Sequence, residues 1–201
     1  MGKVYGVLST KEELLEYLGE NIDALTPVLE NRIRAYRKDS ELRVINPARL
    51  GRYFGITCVF VDLPEDQANL YGYSIIRQKH TEKEVCISRH ISDKNKRLGM
   101  AYEVLLMLLI PGATKVPGDI VLNRYSAPDS LVLPENVEKT IKKYAMDILV
   151  PADVFEEELN TARKIPGEYN TDFDVVGYLS DRFGVPRFLV EEKLKNFDEK
   201  M

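Results

Sequence analysis

The chain has 201 residues, 28 of them basic and 32 acidic, for a net charge of −4. That length fits one domain with small appendages, and the composition is that of an ordinary soluble globular protein. Acidic and basic residues are mixed along the chain, which excludes the broad basic footprint of a nucleic-acid binder.

The opening Met-Gly-Lys-Val-Tyr lacks the apolar core of about 7–15 residues that marks a signal peptide, so the expectation is a cytoplasmic protein. Thr10-x-x-Glu13 is a capping box and predicts a short helix to about Leu18. Thr26-Pro27 reads as a cap with proline at the first helical position, and predicts a second helix to about Lys38. Residues 1–43 thus form a charged, amphipathic helical arm, suited to packing or to a partner. Residues 44–201 form the main domain. Asn46-Pro47 repeats the cap-and-proline signal, and the helix it opens ends at Phe54-Gly55.

At Ile56 the period changes. Ile56–Val61 is β-branched and aromatic, as in a buried strand. Leu70–Arg77 and Glu84–His90 predict two more strands, joined by the polar turn Gln78–Lys83. The expected sheet is therefore three-stranded and antiparallel. Cys58 and Cys86 fall in these apolar strands and read as buried free thiols.

Asp93–Ile110 is the central helix. Ser92 or Asp93 can cap it, and Pro111-Gly112 stops it. Between Leu98 and Thr114 its only charged residue is Glu103, and a helix apolar all round belongs in a core. It is too short for a membrane span of about 20 apolar residues. A lone carboxylate there is costly to bury and needs a partner or a task.

Lys115–Leu133 holds two prolines and reads as an irregular loop, apart from the apolar run Ile120-Val121-Leu122. Pro134–Leu149 is a helix with Val137, Ile141, Ala145 and Ile148 on one face. Asp153 to about Lys164 is another helix, followed by a loop over Ile165–Thr171. Two short helices close the chain, Asp174–Phe183 and Pro186–Phe197, with Gly184 in a helix-turn-helix-like turn. Helices, then strands, then helices indicate an α+β domain.

From about Pro47 to Phe197 this order resembles the ImmA/IrrE family of zinc metallopeptidases. The opening helix and strand at Ala48–Asp62, the Leu63-Pro64 to Gly72-Tyr73 segment, the central helix, the helix at Glu138–Pro151 and the Phe183-Gly184-Val185 turn carry the likeness. The resemblance implies a small sheet packed with a metallopeptidase-like helical bundle. It also implies a phage or mobile-element setting, in which the family cleaves or controls a regulator.

The family's HExxH pairs two histidine ligands with a glutamate general base. Here those positions read Tyr102-Glu103-Val104-Leu105-Leu106, so both histidines are lost and the base survives as Glu103. The family's third ligand matches Glu138, and the Asn/Asp position after it is Lys142. Leu106 cannot ligate, and two carboxylates fall short of the three protein ligands of a catalytic zinc. No zinc or other cofactor is expected. Glu138 and Lys142 stand at i and i+4, a favourable acid-first pair. If Glu138 faces Glu103, the Lys142 ammonium supplies the positive charge a metal would give. His80 reads as an exposed turn residue and His90 as a strand-end residue.

Three functions follow as expectations. The first is a catalytically inactive regulatory or interaction module that binds a protein such as a repressor. The second is an active metallopeptidase with a rebuilt site that recruits His90 or Asp93, and oxygen ligands of that kind suit Mg²⁺ or Mn²⁺. The third is DNA binding by residues 174–197, which Glu191 and Glu192 on the would-be recognition helix oppose.

Overall fold

The computed structural model describes residues 10–40, 43–63, 70–77, 82–111, 118–125, 133–164 and 173–199. His80, most of the polar turn around it, and the loop at 165–171 lie outside the described residues. Among the described residues there are seven helices and four strands in a mixed α+β arrangement.

The first helix, α1 (Lys11–Ser40), is continuous. Thr10 opens it, its Oγ1 accepting from the Glu13 amide at 3.2 Å. The expected restart at Thr26-Pro27 does not occur: Pro27 lies inside the helix, and the Thr26 hydroxyl bonds back to the Ile22 carbonyl at 2.7 Å. The reason is tertiary. Leu14, Leu18, Ile22, Leu29, Ile33 and Tyr36 form one buried stripe across the proline, and packing overrides the local break.

The short helix α2 (Pro47–Tyr53) is capped by Asn46, whose side chain accepts from the Arg49 amide. Gly55, at φ 75°, turns the chain into β1 (Ile56–Val61). β2 (Leu70–Ile76), β3 (Lys83–Ser88) and β4 (Ile120–Tyr125) complete a four-stranded sheet in the order β1-β3-β2-β4. This corrects the three-stranded antiparallel expectation in two ways. β1 runs parallel to β3, while β2 is antiparallel to both β3 and β4. The fourth strand also rises from the stretch read as irregular loop, where Ile120 and Leu122 pair opposite Ile76 and Ser74 and are buried. β3 stops at Ser88, so His90 stands in the turn beyond it.

The central helix α3 (Asp93–Leu109) leaves β3 through that turn. Ser92 caps it, accepting from the Asn95 amide. It packs between the sheet and the helices α1, α2 and α4 (Glu135–Leu149). On α4 the predicted face Val137, Ile141, Ala145 and Ile148 is wholly buried. Then come α5 (Ala152–Lys164), α6 (Val175–Phe183) and α7 (Arg187–Asp198). α6 ends in Gly184 at φ 62°, a left-handed cap suited to glycine. Phe155 of α5 meets Phe183 and Phe197, so the closing helices pack onto α5. Among the described residues no helix is long and apolar enough to cross a membrane.

Candidate functional site

α3 sets Glu103 on its sheet-facing side, where it is 1% exposed. Its partner comes from β2: the Ser74 hydroxyl donates to Glu103 Oε2 at 2.6 Å, and Ser74 is itself fully buried. Ser74 points to the helices because β2 alternates, with Ser74 and Ile76 toward the core. A buried carboxyl group that accepts a hydrogen bond avoids the roughly 1–3 kcal/mol penalty of an unsatisfied polar atom.

Leu106 is also 1% exposed and belongs to the hydrophobic core. Tyr102 is half-buried and packs against that core, and Glu138 is half-buried in the first turn of α4. Lys142 turns away. It is exposed and ion-paired with Glu192 of α7 at 3.0 Å. The structure gives Glu103 the Ser74 hydroxyl and Lys142 the Glu192 carboxylate as partners. The i, i+4 spacing could not decide between them, because the partner of each comes from a different element.

His90 and Asp93 lie on the surface. His90 Nε2 is 3.6 Å from Asp62 Oδ1, and Asp93 holds Lys96 at 2.8 Å, which lowers the Asp93 pKa. Among the described residues no three His, Cys, Asp or Glu side chains gather as a metal site. Cys58 and Cys86 are free and buried. Their register sets Cys58 opposite Val85 and Cys86 opposite Val59, so they face opposite sides of the sheet. Burial pushes both thiols up to about 11.

The C-terminal end of α3 is held by two cations. Lys83 Nζ donates to the carbonyls of Met107, at 2.7 Å, and of Ile110, and Arg32 Nη1 donates to that of Leu108. These side chains satisfy carbonyls that a helix end otherwise leaves open, at the end where a positive charge is favoured. Burial, and then the nearby charge of Arg32, push the Lys83 ammonium down to about 8.

Sequence reasoning missed Ser74 and Lys83. The signal for Ser74 was a small polar residue inside the apolar strand Leu70–Ile76, opposite a helix with one acid. Lys83 gave none, because a lysine at a strand start is ordinary. Comparisons of the chain with protein-family models, with curated proteins and with solved structures find no match.

Proposed function

We propose that the protein is a catalytically inactive, metallopeptidase-like regulatory module that binds a protein partner, in the cytoplasm and in a phage or mobile-element setting. The carrying observation is Leu106, a branched hydrocarbon buried in the core at the position where the resemblance calls for a metal-binding imidazole. A zinc ion does not fit the residues at these positions. Leu106 offers no donor, Glu103 is engaged by Ser74, and Lys142 is drawn to Glu192. His90 and Asp93, on which a rebuilt site would draw, are exposed and paired with Asp62 and Lys96. The closing helices serve as packing elements: Leu179, Val185, Leu189 and Val190 are fully buried, and Arg187 is held by Asp174 rather than left for phosphate.

Elemental analysis of tag-free protein after extensive dialysis, with Glu138→Ala alongside, tests this reading. No stoichiometric transition metal is expected in either. About one metal per chain in the wild type, lost in Glu138→Ala, would mean a rebuilt centre of the catalytic kind. Cleavage of a repressor-type protein that Glu103→Gln abolishes would overturn the reading outright. A gel shift with mixed duplex DNA at low salt is expected to show no complex.

A further inference from the structure

On this acidic chain the cations are not evenly spread. A cleft of about 550 Å³ between α2, the first turns of α3 and Phe60 of β1 is lined by Arg49, Arg52, Lys94, Lys96 and Arg97, with Asp93 the one acid among the described residues that line it. None of Tyr102, Glu103, Leu106 or Glu138 lines it. Three of the cations stand at the N-terminal end of α3, where the helix dipole disfavours positive charge. The helix dipole therefore does not account for them.

Several of these cations are poorly satisfied. Arg49 and Arg52 are exposed and have no ion-pair partner among the described residues. The Arg97 guanidinium has one long bond, from Nη2 to the Ile45 carbonyl at 3.4 Å. Its buried Nε has no partner among the described residues, and burial lowers the Arg97 pKa. Lys94 and Lys96 are tied to Asp181 and Asp93.

The cleft also has an apolar component. Phe60 is on the helix-facing side of β1 yet 45% exposed, and it lines the cleft together with Met100. β1 is an edge strand of six uncharged residues, Ile56–Val61, with no proline. Such an edge is open to an added strand, since charge and proline are the usual guards against pairing.

We infer that this cationic cleft beside the β1 edge docks an acidic, partly apolar extended peptide segment of a protein partner. The inference rests on the interaction-module reading and names the chemistry of its partner. Arginines without an ion-pair partner among the described residues call for carboxylates, Phe60 and Met100 for apolar side chains, and the β1 edge for extended backbone. A nucleic-acid backbone fits less well. Asp93, Asp181 and Glu158 stand in this cleft or in the neighbouring one of about 520 Å³ that shares Arg97, and they break any long cationic path.

Fluorescence anisotropy with a labelled peptide of alternating glutamate and valine tests the inference. Its lysine–valine counterpart and a single-stranded oligonucleotide of matched charge are run beside it. Saturable binding of the glutamate peptide alone is expected, weakening as salt rises. Arg49→Glu with Arg52→Glu should raise Kd at least about tenfold, since reversal turns attraction into repulsion. Lys139→Glu on exposed α4 should leave Kd unchanged. Arg52→Ala, checked by circular dichroism, serves if the double reversal disturbs folding, and should weaken binding in the same direction.

Absence of saturable binding by the folded wild type, equal binding by the reversed variant, or tighter binding of the oligonucleotide would each overturn the inference. Mass spectrometry of the incubated peptide separates this from the reading beneath it. A bound but cut peptide keeps the cleft and overturns the non-catalytic module. A peptide neither bound nor cut overturns the cleft and leaves the module standing.

Discussion

Lys83 is under two opposed demands. Its amine bonds two carbonyls at the end of α3, which favours charge, while burial and the neighbouring Arg32 oppose it. Burial wins, and the folded pKa falls from 10.5 to about 8. The amine keeps two N–H donors when neutral, so both carbonyls stay bonded. Below about 8 both folded and unfolded chains hold the proton. Between about 8 and 10.5 the unfolded chain binds more protons, and stability rises with pH. Urea unfolding across that window should show this rise in the wild type relative to Lys83→Met, and equal slopes would count against it. Leu106 gives the second prediction at this scale. Its side chain fills a fully packed core, so Leu106→Ala should cost about 2–5 kcal/mol by chemical denaturation. A change within about 0.5 kcal/mol, the level of an ordinary surface substitution, would show that this position is not core.

Among the elements, α1 departs furthest from its local signals. A proline in a helix interior removes one hydrogen bond and costs about 3 kcal/mol or more in an isolated helix. Pro27 is exposed, and the helix runs through it because buried side chains on both sides of it share one face. Pro27→Ala should therefore stabilise the protein by about 1–3 kcal/mol, seen as a higher thermal midpoint. An unchanged or lower midpoint would mean that the proline is accommodated without strain. β4 shows the opposite case. Ile120-Val121-Leu122 is visible as an apolar run, yet three residues among prolines do not specify a strand. The free edge of β2 does, by presenting an unpaired ladder that Ile120–Tyr125 completes.

At the scale of the whole molecule most of the buried side chains form one cluster, running from Leu14 on α1 through the sheet and α3 to Val190 on α7. α1 is fastened to it by polar contacts as well. Arg32 reaches Leu108, Arg37 donates to the Asp147 carbonyl at 3.0 Å, and Tyr144 donates to Glu30. Deleting residues 1–43 would uncover apolar faces of α3 and α4. The truncated chain should lose its cooperative unfolding transition, and a sharp transition in it would show that α1 is dispensable.

The sequence alone determined the type and place of most elements: the caps at Thr10 and Asn46, a cap at Ser92 or Asp93, the turn at Gly184, the buried face of α4 and the all-round apolar α3. These are local properties, written in side-chain period and in the chemistry of single turn residues. It also determined that positions 102 and 106, on either side of Glu103, carry no imidazole, because that is a matter of residue identity. Tertiary structure decided everything that depends on which distant groups meet. The parallel pairing of β1 with β3, the passage of α1 through Pro27, Ser74 as the partner of Glu103, Glu192 as the partner of Lys142 and the gathering of cations from α2 and α3 are of this kind. A sequence carries period and chemistry, but partners far apart along the chain are selected by packing. The energy that selects them exists only once the faces are buried together.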